Sequence, residues 1–160
     1  GTVTRPLAPT DRSPLLSLLR STGVFSEEEI RVALELIDTA ILPGMDQGYL
    51  FVVAAGLDDR PVGYACWGAT PLTEGVFDLY WIAVDPAHQA TGVGRLLLDR
   101  VRTAVRESGG RMILAETASK ESYAATRAFY ERTGFVEIAR VPDFYRAGDD
   151  KIIYRLPADR

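Results

Sequence analysis

The sequence predicts a single mixed α/β domain over residues 2–160, with a mostly antiparallel sheet flanked by helices. Three observations predict it. Three strand-like runs lie between Tyr49 and Val84 with only short turns between them, the pattern of an antiparallel meander. From Gly92 to Glu107 the apolar period then changes to one residue in four, the mark of an amphipathic helix. A chain of 160 residues, 47% apolar and 25% charged, also has the size and composition of one ordinary core.

Each element has its own signal. Thr2–Arg5 reads as a short strand. Ser13-Pro14 reads as the N-cap and first residue of a helix, with Leu15, Leu16, Leu18 and Leu19 as its apolar stripe and Gly23 after its end. Ser26-Glu27-Glu28-Glu29 is a capping box. Ile30, Ala33, Leu34 and Ile37 follow at helical spacing, and Pro43-Gly44 stops that helix. The meander strands are Tyr49–Leu57, Pro61–Ala69 and Val76–Val84. In the next helix Val93, Leu97, Val101 and Val105 form the buried stripe, and Gly109-Gly110 ends it. Met112–Glu116 reads as a buried strand and Tyr123–Arg132 as a helix closed by Gly134. Phe135–Val141 and Lys151–Leu156 are the last strands, joined by a loop over Pro142–Asp150.

Composition narrows the function. Net charge is −4, a poor match to nucleic acid, whose binders carry basic faces. One cysteine, Cys66, forms no internal disulfide, and with one histidine, His88, the Cys/His zinc sets are absent, so no metal is expected. This fits a reducing compartment, most simply the cytoplasm. No run of about 18 apolar residues is present to span a membrane. The first six residues lack the apolar run of a signal peptide, and Gly1 reads as the remnant of a cleavage.

The chemistry concentrates in Gln89-Ala90-Thr91-Gly92-Val93-Gly94, between the strongest strand and the best helix. A glycine turn feeding a helix N-terminus offers unpaired N–H groups and the positive end of the helix dipole to an anion. Gly92 and Gly94 lack the Cβ atoms that would hold a phosphate away. A P-loop would need Lys-Ser/Thr after the second glycine, where Arg95-Leu96 stands. A dinucleotide fingerprint would need glycine near Leu97 and a parallel βαβ unit.

The remaining pattern, Gln-x-x-Gly-x-Gly after Ile82-Ala83-Val84-Asp85-Pro86, resembles the acyl-CoA motif of the GNAT superfamily of N-acetyltransferases. Asp78–Pro86 resembles that family's fourth strand and its exit, and Phe129-Tyr130-Glu131-Arg132-Thr133-Gly134-Phe135 its helix-turn signature. The resemblance implies an acyl-CoA N-acyltransferase fold with splayed fourth and fifth strands, and acetyl-CoA as cosubstrate. It implies that Ile82, Ala83 and Val84 meet the pantetheine arm and the thioester, and that Gln89, Ala90, Thr91, Gly92, Val93 and Gly94 surround the pyrophosphate. Arg95 either adds charge to that site or pairs with Asp99 in solvent.

By the same resemblance Tyr130 is the acid that protonates the departing thiolate; the structural alternative is a tyrosine packed on Phe135. Many relatives carry asparagine in the preceding loop, where this chain has Ser119-Lys120-Glu121-Ser122-Tyr123. The attacking amine must be neutral. A free α-amine is about a tenth neutral at pH 7, whereas a lysine costs roughly 4.6 kcal/mol to deprotonate there. The resemblance implies two candidate bases, Asp78, where histone-modifying relatives hold a glutamate, and Glu116, in the place of a base in ribosomal-protein N-terminal acetyltransferases; each is matched by a reading as a strand-edge carboxylate.

Cys66 reads as a buried thiol, His88 as an exposed loop residue, and Trp67 and Trp81 as core. Tyr80 is expected to line an acceptor pocket if it is not core, and Phe144 and Tyr145 suit either a lid or a plain surface turn. With no activated nucleophile in view, the expected reaction is direct acetyl transfer to a primary amine in a ternary complex. The acceptor is a small molecule or a peptide N-terminus, and dimers are common among such relatives. Two rivals are a non-catalytic acyl-CoA sensor on the same fold and a dinucleotide-dependent oxidoreductase.

Overall fold

The computed structural model describes residues 1–44 and 47–159; Arg160, the last residue of the predicted domain, lies outside them. The elements are β1 (Val3–Arg5), α1 (Arg12–Ser21), α2 (Glu27–Ile41), β2 (Leu50–Ala55), β3 (Pro61–Ala69), β4 (Val76–Val84), α3 (Val93–Glu107), β5 (Met112–Ala118), α4 (Ala124–Arg132), β6 (Val136–Arg146) and β7 (Asp149–Pro157). One-turn 3-10 segments at Pro9–Asp11, Pro86–His88 and Glu121–Tyr123 precede α1, α3 and α4. The strand order is β1-β2-β3-β4-β5-β7-β6. Neighbours pair antiparallel at β1–β2, β2–β3, β5–β7 and β6–β7, and parallel at β4–β5. The predicted class and order of elements are those observed.

The backbone falls into two compact units: residues 1–68 with 81–101, and residues 69–80 with 102–160. In the first, α1 and α2 bury Leu15, Leu18, Leu19, Ile30, Ala33 and Ile37 with Val53, Tyr64, Cys66 and Ala83 of the strands. The capping box forms as predicted: Glu29 N–H donates to Ser26 Oγ at 3.1 Å and Ser26 N–H to Glu29 Oε1 at 2.8 Å.

The start of α1 differs from the prediction. Its N-cap is Asp11, not Ser13, and Asp11 caps no helix N–H with its side chain. The carboxylate is committed elsewhere: it accepts from both terminal nitrogens of Arg5 and from Ala8 N–H, each at 2.8 Å. A tertiary ion pair therefore fixes where this helix begins. Burial pushes the Asp11 carboxyl up, but the hydrogen bonds from Arg5 and Ala8 outweigh it and hold the group below the usual carboxylate range.

That depressed pKa contributes stability above the unfolded-state value, and the contribution is lost as pH falls through the folded-state value. Asp11→Asn is expected to cost about 2–3 kcal/mol at neutral pH. This is below the roughly 3–5 kcal/mol of a wholly buried pair, because Arg5 keeps Asp59 at 2.6 Å as a second partner. Denaturant melts at pH 7 and below pH 4 check this: the gap between the two proteins narrows in acid.

In the second unit β5 is central. Its registers with β4 and β7 sort the side chains onto two faces. Ile113, Ala115 and Thr117 share one face with Leu156, Tyr154 and Ile152, and all six are buried. Leu114, Glu116 and Ala118 share the other with Arg155, Ile153 and Lys151, and Asp78 joins them opposite Leu114. The registered β4–β5 pairs run only from Val76↔Met112 to Leu79↔Ala115.

The predicted Pro142–Asp150 loop is instead strand almost throughout. β6 continues to Arg146 and β7 starts at Asp149, leaving a tip at Ala147-Gly148. Pro142 ends no strand because β6 lies at the sheet edge and its register with β7 breaks between Val141 and Arg146, a place where proline is tolerated. Carboxylates close the hairpin: Asp143 Oδ1 accepts Gly148 N–H at 2.7 Å, and Asp150 Oδ1 accepts Asp143 N–H at 2.9 Å.

Candidate active site

The predicted site residues fall in both units. In the first unit, β4 ends where Asp85 N–H donates to Val62 O at 2.8 Å, and the Asp85 side chain accepts Ala87 N–H to start the 3-10 turn. The chain then needs two left-handed residues, Ala90 at φ 63° and Gly92 at φ 88°. Thr91 Oγ1 donates to His88 O, and Gln89 Nε2 to Val84 O at 3.4 Å, tying the loop to the strand end. The first i→i−4 bond of α3 runs from Leu96 N–H to Gly92 O at 2.9 Å. The N–H groups of Val93, Gly94 and Arg95 thus precede the helical ladder and lie at its positive end.

The loop fits a phosphate. Nothing lies within 4 Å of where a Cβ on Gly92 would stand, so the backbone there is open to close approach. Its position is set from below by Gly63 of β3, where a Cβ would come within 3.0 Å of Ala83 O, 3.1 Å of Leu97 and 3.2 Å of Val93. That missing Cβ lets the first turns of α3 seat on the sheet, with Val93 and Leu97 buried and Arg95 exposed. Ala83 is buried, and Ile82 and Val84 are half-buried. His88, expected to be exposed, is half-buried, with Nδ1 enclosed and without a protein hydrogen-bond partner. Cys66 is buried as predicted, and burial pushes its thiol up to about 12. Trp67 is buried, and Trp81 packs on Phe25 at 5.2 Å between ring centroids.

In the second unit both carboxylates stand on one sheet face. Asp78 is half-buried and accepts from Thr70 Oγ1 at 2.8 Å. Glu116 is open to solvent, with Oε2 3.1 Å from Lys151 Nζ. Tyr80 is partly exposed. Tyr130 lies on the opposite face of β5: its ring packs on Tyr154 at 5.6 Å and on Phe135 at 4.9 Å. Burial, with a smaller contribution from Tyr154, pushes the Tyr130 phenol well above its ordinary value, so it keeps its proton at neutral pH. Arg127 donates to Ala118 O and Lys120 O, each at 2.9 Å, holding the loop that leads into α4.

Two partners were not legible in the sequence. Lys151 comes to Glu116 only through the β5–β7 register, which sets it opposite Ala118. Its Nζ also lies 4.5 Å from the centre of the Phe144 ring, giving the hairpin aromatics a cation to cover. Thr70 reaches Asp78 across the turn before β4. Among the described residues no cluster of three His, Cys, Asp or Glu could hold a metal, and no helix is long and apolar enough to cross a membrane.

The pattern of the acetyltransferase (GNAT) domain matches residues 46–137. The chain belongs to the GNAT acetyltransferase family. A GNAT-family protein from Desulfovibrio desulfuricans, known as a crystal structure, is 49% identical, with a TM-score of 0.91 and 99% of both chains covered. The [ribosomal protein bS18]-alanine N-acetyltransferase of Escherichia coli is 36% identical over 95 residues, 56% of this GNAT chain. The chain spans about 63% of the length of that curated relative. An N-acetyltransferase from Thermoplasma acidophilum in complex with coenzyme A shares the fold at 18% identity, with a TM-score of 0.73 over 98% of this chain and 99% of that one.

Proposed function

We propose that residues 2–160 work as one acetyl-CoA-dependent N-acetyltransferase domain that acetylates a primary amine by direct attack in a ternary complex. The observation that carries this is the loop into α3, with its open left-handed Gly92 and its unladdered N–H groups, in a chain of the GNAT family. The coenzyme A complex of the Thermoplasma relative supports the same donor. Acetyl-CoA supplies a thioester activated toward amines. Gln89, Ala90, Thr91, Gly92, Val93 and Gly94 hold its pyrophosphate with backbone N–H groups, Arg95 adds a positive charge, and Ile82, Ala83 and Val84 offer backbone groups to the pantetheine arm.

Glu116 takes the proton of the acceptor ammonium, and Asp78 is the second carboxylate on that face. The neutral nitrogen then bonds to the acetyl carbon as the carbon–sulfur bond breaks; Tyr130 O–H gives its proton to the leaving sulfur and is restored by the second proton that the nitrogen sheds, while Glu116 releases the first to solvent. Base and acid stand on opposite faces of β5, and burial raises the Tyr130 phenol so that it keeps its proton until the thiolate forms. With the thiol of Cys66 buried and its pKa raised, the reading is direct transfer, without a covalent acetyl-enzyme. The bS18-alanine relative supports a peptide N-terminus among the acceptors, alongside small amines.

Acetyl-CoA and CoA are expected to raise the melting temperature, by about 2.7 kcal/mol of stabilisation at a hundred times the dissociation constant. NADH is expected to leave it unchanged. No shift at millimolar acetyl-CoA overturns the donor. A shift without product from a panel of amines leaves a sensor rather than an enzyme.

A further inference from the structure

We infer that, among small-molecule acceptors, the Glu116–Lys151 ion pair selects a zwitterionic one, a primary amine with a carboxylate close by. This rests on the reading of Glu116 as the group that meets the acceptor amine. The two partners are unequal: the Lys151 side chain is 19% exposed and that of Glu116 51%. Lys151 is held from the other side by the Phe144 ring at 4.5 Å. The anion is therefore the more open of the two to solvent and the cation the more covered.

An incoming ammonium takes Glu116 away from Lys151. With a plain alkylamine that leaves a mostly covered ammonium without its counter-ion, which costs more the less water reaches it. An acceptor that brings its own carboxylate replaces one ion pair by two. Lysine suits this exchange, being a compact charge on a flexible stem with three donors. The surrounding face is balanced in the same way: Asp78 and Arg155 lie opposite Leu114 on its two sides, so the four charged groups sum to zero. A cationic acceptor would unbalance that face and a zwitterion would not.

The test compares an α-amino acid with its carboxamide and with an alkylamine of the same length. Turnover is measured as kcat/KM, and binding to the CoA-loaded protein by calorimetry, so that the result stands even where turnover is slow. The unmodified protein is expected to favour the acid over the carboxamide by tenfold or more in both measurements. Lys151→Met is expected to bring that ratio to within twofold, and Lys151→Arg to retain it, with melting curves recorded for each. Equal handling of acid and carboxamide by the unmodified protein overturns the inference, as does a preference that survives Lys151→Met. Failure of the acetyltransferase reading itself shows separately, as the absence of an acetyl-CoA melting shift and of CoA release with every amine.

Discussion

Tyr130→Phe is expected to lower turnover by 10²–10⁴-fold, about 3–5 kcal/mol of barrier, while leaving CoA affinity and the fold in place. The substitution removes one oxygen and keeps the ring that packs on Phe135 and Tyr154. Without the hydroxyl, the thiolate must leave unprotonated or take a proton from water. The pH dependence sharpens the test. Burial raises the Tyr130 pKa, so the acid form persists well into alkaline solution and contributes no falling limb near neutrality. A purely structural tyrosine would give the reverse pair of results, a lower melting temperature with little change in turnover. The paired measurement is turnover with any accepted amine and thermal stability on one preparation. Turnover within threefold of the unmodified enzyme removes Tyr130 from the mechanism.

Gly92→Asp is expected to abolish the melting shift given by acetyl-CoA. At φ 88° a side chain costs backbone strain of about 1–2 kcal/mol, and aspartate is among the residues that tolerate this region best. The new Cβ meets nothing within 4 Å, so folding survives with a somewhat lower melting temperature. The carboxylate, however, stands where phosphate should lie. Two unit negative charges 4 Å apart repel by about 4 kcal/mol at a surface dielectric, roughly a 10³-fold loss of affinity. Gly92→Ala carries the same strain without the charge and is expected to keep part of the shift. Calorimetric titration of all three proteins with CoA separates strain from charge. Unchanged binding by Gly92→Asp places the phosphate loop elsewhere.

Much of the fold is local and was legible as such. Ser26 to Glu29 satisfy their own backbone groups within one turn, so no distant contact is needed to start α2. β3 and β4 were bounded as predicted because strong apolar runs stop at turn residues. The loop from Gln89 to Gly94 was legible because a left-handed turn before a helix calls for glycine, and Gly92 adopts it. Ala90 adopts the same region without a glycine to announce it.

The sequence by itself determined the order of elements, the glycine turn before α3 and the family to which the chain belongs, because period, capping and turn chemistry act over a few residues. Tertiary structure decided the rest. α1 begins at Arg12 because Arg5 claims Asp11, a contact with the first strand that no local pattern encodes. The last two strands run through the expected loop because β6 is an edge strand whose register with β7 breaks around Pro142, and because Asp143 and Asp150 satisfy the tip. Glu116 meets Lys151, 35 residues on in the chain, only once β5 and β7 fix their register. Which face each carboxylate or tyrosine occupies follows from strand pairing, and a shift of one residue would reverse it.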